Sequence, residues 1–392
     1  QRQMCIRDRY MVELIDKSKC CGCAACVQVC PKQCISFNED IEGFLYPIVN
    51  KDLCIDCRLC EKVCPFLNLN DPRKPVKVLA AINPNEEIRM KSSSGGIFTM
   101  LAEAVIDKGG VVFGARFDKN WEVMHDYTET KEGLDIFRGA KYTQSKIGRT
   151  YKEAKDFLIQ GRKVLFSGTG CQIAGLRLFL HKKYDNLLMV EIACHGVPSP
   201  AVWRAYLDEV TKGNKNKINS INFRDKRNGW NEYGLTIEKD DDIIYELSAN
   251  NRYMQSFLKD LCLRPSCVNC PVKQGASGTD LIIGDFWGVE SIHPEIYDNK
   301  GCSFVVVNSD KGKEQIAQIN MKKIEITYEE GWCYNPCLVQ SSAESRYAFI
   351  FWRQFHKKGV MAINGTLKIL GSNRIQRMAY LIWYKVISKI QK

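Results

Sequence analysis

Apolar residues along the chain recur with two different periods, and the alternation between them predicts a mixed α and β fold. Residues 35–37 and 44–49 read as short strands around a turn at Gly43, and residues 78–82 as a further strand. Lys91-Ser92-Ser93-Ser94-Gly95-Gly96 then leads into a stretch of helical period over 97–107, stopped by Gly109 and Gly110. A second strand, turn and helix follow at residues 164–167, Gly168-Thr169-Gly170 and 171–180. Residues 187–194 form another buried strand ending in Cys194-His195-Gly196, and residues 281–283 run into Gly284-Asp285-Phe286-Trp287-Gly288. Near the C-terminus Ile375, Met378, Ala379, Ile382, Trp383, Val386, Ile387 and Ile390 lie at helical spacing, with Arg377, Lys385, Lys389 and Lys392 outside that stripe.

Composition narrows the class. With 392 residues, 45% hydrophobic and 26% charged, the chain has material for two or three cores, which excludes disordered and fibrous proteins. No apolar run approaches the roughly 18 residues that cross a bilayer, and no export signal opens the sequence, so a soluble cytoplasmic protein is expected. Residues 1–10 show neither period nor capping logic and precede a plausible start at Met11. They read as a non-native remnant and are set aside together with Cys5.

Of 19 cysteines, eight fall between Cys20 and Cys64 in two runs of identical spacing. Cys20, Cys23, Cys26 and Cys30 before Pro31 follow Cys-x2-Cys-x2-Cys-x3-Cys-Pro, and Cys54, Cys57, Cys60 and Cys64 before Pro65 repeat it 34 residues later. Such repetition in a long chain of intracellular composition indicates metal rather than disulfides, in a reducing compartment. Zinc knuckles pair Cys-x2-Cys units and have no use for the third cysteine or for Cys-Pro. Three sulfurs of each loop wrap one [4Fe-4S] cluster and the fourth, one helical turn on, reaches the other. The expected sets are Cys20, Cys23, Cys26 and Cys64, and Cys54, Cys57, Cys60 and Cys30. Cys21 and Cys34 fall outside the pattern and read as packing residues.

Cys262, Cys267 and Cys270 before Pro271 supply three more thiols, with Cys194 as the expected fourth ligand of a third cluster; a zinc site or unligated thiols remain open. His195 beside them reads as a hydrogen-bond donor, and Cys302, Cys333 and Cys337 as structural. Ser92 to Gly96 precede a helix start, where free amide N–H groups hold an anion or a serine merely caps the helix. Cys171 stands at another helix N-terminus, the position of a reactive, flavin-contacting or buried structural thiol. Lys141, Lys146 and Arg149, and farther on Arg224, Lys226 and Arg227, are basic stretches suited to a phosphate, although a solvated helix face is the default for the first. Net charge is +11, carried outside residues 16–70, and clusters of about −2 each offset much of it, so a nucleic-acid partner is not expected.

Together Ser92-Ser93-Ser94-Gly95-Gly96, Ser167-Gly168-Thr169-Gly170-Cys171-Gln172, Cys194-His195-Gly196-Val197-Pro198-Ser199-Pro200, Leu263-Arg264-Pro265-Ser266-Cys267 and Gly284-Asp285-Phe286-Trp287-Gly288 resemble the coenzyme F-420 hydrogenase/dehydrogenase beta-subunit family, fused behind a two-cluster ferredoxin domain. The resemblance covers about residues 15–330 and implies an oxidoreductase that binds FAD beside an additional [4Fe-4S] cluster and exchanges hydride with a deazaflavin or another two-electron partner. It implies flavin phosphate at Ser92, Ser93, Ser94, Gly95 and Gly96, with Gly168, Thr169 and Gly170 as further cofactor contacts. It implies the cluster at Cys194, Cys262, Cys267 and Cys270, and leaves Cys171 and Asp285 as catalytic candidates. Gly170 stands where the family pattern has proline, and Ser277 where it has a basic residue. Relatives in bacteria without the deazaflavin, often beside glycan-assembly enzymes, extend the implied role to polysaccharide biosynthesis.

The expected fold class is α+β. A two-cluster ferredoxin domain at 11–70 precedes a mixed α/β flavin- and cluster-binding body at 71–160 and 161–335, and a helical tail at 336–392. Expected partners are ferredoxin or a redox subunit and a two-electron small molecule; the basic C-terminal helix packs onto the body or a partner by default, with a peripheral hold on anionic lipid as the sharper reading. A non-catalytic electron-transfer subunit of a larger complex is the alternative.

Overall fold

The computed structural model describes residues 16–68, 70–240 and 242–390. Residues 1–10, Cys5 among them, therefore lie outside the described residues. The chain begins with a β-hairpin of β1 (Ile35–Glu39) and β2 (Leu45–Val49), whose turn is closed where Gly43 N–H donates to Asp40. Two short helices, Ala25–Val29 and Leu59–Lys62, flank it and carry the central cysteines of the two runs.

The body is built on one mixed sheet of eight strands: β3 (Lys77–Ile82), β4 (Val111–Phe117), β5 (Val123–Thr128), β6 (Val164–Thr169), β7 (Leu187–Ile192), β11 (Leu281–Asp285), β12 (Ser303–Val307) and β13 (Lys322–Glu325). Their spatial order is β13-β3-β12-β11-β7-β6-β4-β5. Strands β11, β7, β6 and β4 are parallel at the centre, and antiparallel strands close both edges. The sheet takes strands from both sides of residue 160, so residues 71–160 and 161–335 share one core rather than two.

A second, antiparallel sheet of β8 (Ile218–Asp225), β9 (Gly234–Lys239) and β10 (Asp242–Leu247) packs with the helices Pro200–Val210 and Arg252–Leu258 around Trp203, Tyr206, Phe223, Tyr253 and Phe257. The tail helices Ala348–Lys358 and Met361–Gly371 complete this aromatic core with Phe351, Phe355 and Ile363. The helix Arg374–Ile390 follows them.

Parallel pairing decides where chemistry collects, because neighbouring parallel strands release their following loops on the same edge of the sheet. Cys171 follows β6, Cys194 follows β7 and Asp285 ends β11. The ferredoxin segment packs on this edge, with helix Ala25–Val29 against Thr150–Ile159 and Gly170–Leu180, and residues Lys17–Lys19 against Pro265–Asn269.

Candidate metal centres

The two cysteine loops repeat in conformation as well as in sequence. Gly22 and Asp56 have φ of +70° and +54°, and Ala24 and Arg58, again 34 residues apart, +60° and +56°. Left-handed backbone costs a non-glycine residue about 1–2 kcal/mol, so its recurrence at matched positions marks a shared demand on the loop. Gly22 has a second reason: a Cβ there would stand 2.8 Å from Gln144 Nε2 and 2.9 Å from an Arg264 Nη.

Sulfurs converge in three places. Burial and the fields of Cys20, Cys64 and Cys60 push Cys26 well above the ordinary thiol range; a hydrogen bond with Cys21 lowers Cys23, but burial and the fields of Cys26 and Cys64 raise it on balance. Cys20, Cys23, Cys26 and Cys64 thus face one another. Cys30, Cys54, Cys57 and Cys60 line a cavity of about 440 Å3, open mouth included, together with Cys34. The Cys34 sulfur lies 3.4 Å from that of Cys30, and burial and that neighbour push Cys34 up to about 12. Burial raises Cys30 too, but the N–H groups of Cys34, Lys32 and Gln33 outweigh it and favour its thiolate.

The third gathering place is a cavity of about 490 Å3 lined by Cys171, Cys194, Cys267 and Cys270, with Cys21 from the ferredoxin loop, Arg264, Glu191 and Lys273. Burial raises Cys194 well above the ordinary thiol range and Cys267 to about 12, with neighbouring sulfurs adding to both. A hydrogen bond with Cys21, then burial, raises Cys171. Buried thiols in one another's field release their protons only to a positive charge, which iron supplies; the donor sets suit cubanes on that ground. Among the described residues no three His, Cys, Asp or Glu side chains close on a single metal ion.

Several expected site residues stand elsewhere. Cys262 does not join the third cavity: it is fully buried in the aromatic core beside Ser256, and burial pushes it to about 11. Cys171, not Cys262, lines that cavity. Its turn also serves the sulfur site, since Thr169 and Gly170 line that cavity and Gly168 packs on Gln172 and His125. Gly170 replaces proline here because Glu191 fills the space; a Cβ would come within 2.6 Å of its carboxylate. Ser277, at the other departure, donates to that carboxylate. Cys21 and Cys34, read as packing residues, each border a thiol cavity.

The loop Ser92 to Gly96 is held by its own protein. Ser92 donates to Ile88 O at 2.7 Å, Ser94 to Cys302 O at 2.8 Å, and Ser93 accepts from Ala140 N at 2.6 Å. Its surroundings are cationic. Arg224 Nη2 donates to Ser93 O and Lys226 Nζ to Ser94 O, and burial pulls Lys226 down to about 7. Lys141, likewise lowered by burial to about 7, donates to three backbone carbonyls from an irregular segment, not from a solvated helix face. Asp285 is the counter-ion of this group, accepting from both Arg224 Nη groups at 3.2 Å and from Trp230 Nε1 at 3.0 Å. The Trp230 and Trp287 rings stack at 4.7 Å beside it.

His195 meets Asp260 at 2.6 Å on the rim of the third cavity. Lys273 donates to Cys194 O and Cys337 O, and Arg264 to Cys20 O. Sequence reasoning missed Arg264, Lys273 and Glu191 as site residues; only the first had a signal, its place in the motif Leu263 to Cys267.

Residues 161–330 match the family model for the C terminus of the beta subunit of coenzyme F420 hydrogenase/dehydrogenase, and residues 19–68 match that of the 4Fe-4S dicluster domain. The central part of the chain is thus similar to the beta-subunit family and its N-terminal part to an iron-sulfur dicluster domain. A chain of the xenon-derivatised F420-reducing [NiFe] hydrogenase complex from Methanosarcina barkeri is 16% identical, with a TM-score of 0.45 over 77% of this chain and 94% of that one. No curated protein sequence matches.

Proposed function

We propose that the chain is an iron-sulfur flavoprotein oxidoreductase that moves electrons in series through three [4Fe-4S] clusters, between an external donor such as ferredoxin or a partner subunit and a two-electron substrate. Cys54, Cys57, Cys60 and Cys30 hold the outer cluster and Cys20, Cys23, Cys26 and Cys64 the next. Cys171, Cys194, Cys267 and Cys270 hold the third, with Cys171 in the role first read for Cys262. The observation that carries this reading is the third cavity: four thiols from three loops line it, and Cys21, one residue from Cys20, touches the same space.

FAD is the terminal cofactor in this reading, and the residues around Ser93 suit it. Arg224, Lys226 and Lys141 concentrate positive charge there against Asp285, and Arg224 Nε is a buried donor without a partner. The serine hydroxyls are spent on the protein, as are Gly95 N–H and the ammonium groups of Lys141 and Lys226, so Arg224 Nε is the donor that remains to meet phosphate. When bound, FAD supplies the exchange between one-electron and two-electron transfer. The chain's own part is to bury the thiols, hold the cations and exclude water. Asp285, paired twice to Arg224, acts as a counter-ion rather than a base, and Cys171 as a ligand rather than a nucleophile. A deazaflavin of the coenzyme F-420 type is the first substrate to try, followed by other hydride acceptors, including those of polysaccharide biosynthesis.

Anaerobic reconstitution tests the reading. About 12 iron atoms and one FAD per chain are expected, with reduced ferredoxin driving reduction of a deazaflavin or nicotinamide. Iron near eight without flavin overturns it and leaves an electron-transfer subunit that conducts to a catalytic partner.

A further inference from the structure

Nearly all of the excess charge sits at one end of the chain. After Glu344 the sequence holds ten Lys or Arg and no Asp or Glu, while the rest has 46 basic against 45 acidic residues. Three helices carry that stretch. Ala348–Lys358 and Met361–Gly371 are anchored, because Phe351, Phe355, Ala362 and Ile363 are buried with Trp203 and Tyr253.

The third, Arg374–Ile390, exposes apolar side chains to water along its first half. Ile375 is 82% exposed, Met378 54% and Ile382 58%. Steps of three and four residues put these side chains on one face. The helix is nonetheless well started: Asn373 accepts from Gln376 N at 2.9 Å, and Arg377 reaches back to Leu370 O. It contacts the preceding helix Met361–Gly371.

Apolar side chains and cations without acids on one exposed helix select among partners. A nucleic acid would satisfy Arg374 and Arg377 but leave Ile375, Met378 and Ile382 in water. An anionic lipid surface answers both, with headgroups for the cations and acyl chains for the apolar face. Among the described residues no helix is long and apolar enough to cross a membrane. The helix is about 25 Å long.

We infer that Arg374–Ile390 is an in-plane anchor for an anionic bilayer, with Ile375, Met378 and Ile382 inserted among the lipids and Arg374 and Arg377 at the phosphates. The body is thereby held against the membrane through the anchored helices before it. This holds whether or not the third cluster and FAD are present.

The test uses the full chain and co-sedimentation with vesicles of phosphatidylcholine alone or mixed with phosphatidylglycerol. Binding is expected to the mixed vesicles only and to weaken with salt. The triple variant Ile375→Ser, Met378→Ser, Ile382→Ser, altered only at exposed positions, is expected to lose binding by roughly tenfold or more with iron content and visible spectrum unchanged. The inference is overturned if the full chain does not bind mixed vesicles, if the triple variant binds them as well as the parent, or if duplex DNA binds instead and ignores the triple change.

Discussion

Arg264 is joined to Cys20 twice: its Nε donates to the Cys20 carbonyl at 2.7 Å, and an Nη group stands 3.6 Å from the Cys20 sulfur. The guanidinium is fully buried, its other hydrogen bonds go to Leu45 O and Gln144 Oε1, and it lies over the Tyr46 ring at 4.3 Å. None of these partners is a carboxylate. The same side chain lines the cavity of Cys171, Cys194, Cys267 and Cys270. A buried cation needs countercharge, and the clusters proposed for the thiol sets on its two sides would provide it. Replacing the arginine removes positive charge that favours the added electron. Arg264→Gln is therefore expected to make the midpoint potentials of both adjacent clusters more negative, with Arg264→Lys intermediate, in titrations followed by paramagnetic resonance. Unchanged potentials at full iron loading would refute this coupling.

The choice between Cys171 and Cys262 is tested by iron counting. Cys171→Ser, made with Cys21→Ala so that the neighbouring thiol cannot substitute, is expected to lower iron from about 12 to about 8 atoms per chain. Cys262→Ser is expected to keep its iron and to lose on the order of 1–2 kcal/mol of stability, because a hydroxyl replaces a thiol in an apolar core.

Gly170 and Glu191 share one space. Gly170→Ala places a methyl group 2.6 Å from the carboxylate and 3.0 Å from Val272, and is expected to destabilise by about 1–3 kcal/mol in denaturant unfolding. Combining it with Glu191→Ala should cost less than the sum of the two changes. Additive losses would show that the carboxylate does not set the limit.

His125 gives the fold a pH dependence. Burial, with Lys141 adding to it, lowers the imidazole to about 4, against a hydrogen bond to Ser167 O that works the other way. The ring stays neutral when folded but takes a proton in the unfolded chain below about 6.5. Stability is therefore complete above that pH and falls as pH drops toward 4, by about 3 kcal/mol in all. His125→Gln is expected to flatten this slope while lowering stability at neutral pH; an unchanged slope would assign it to other groups.

Much of the site was readable from local spacing. The Cys-x2-Cys-x2-Cys loops bring neighbouring sulfurs together whatever surrounds them, and β6, β7 and β11 announce themselves as apolar blocks before turns. Cys262 shows where spacing misleads: it sits five residues before Cys267, yet its side chain turns toward Tyr253 and Phe257. The serines before helix Ile97–Ile106 show a related limit, since a hydroxyl beside a helix start suits a phosphate or its own backbone equally, and here the backbone takes it.

The amino-acid order alone determined the repeated cysteine loops, the alternation of strand and helix, and the basic amphipathic end, because each depends on contacts within a few residues. Tertiary structure decided that Cys171 rather than Cys262 meets Cys194, that Arg264 is sealed between two thiol sets, and that Gly170 yields to Glu191. The first and third pairs are joined only when β6 and β7 lie parallel and release their loops side by side, and the second only when the ferredoxin loop packs against Pro265–Asn269, long-range closures that periodicity does not encode.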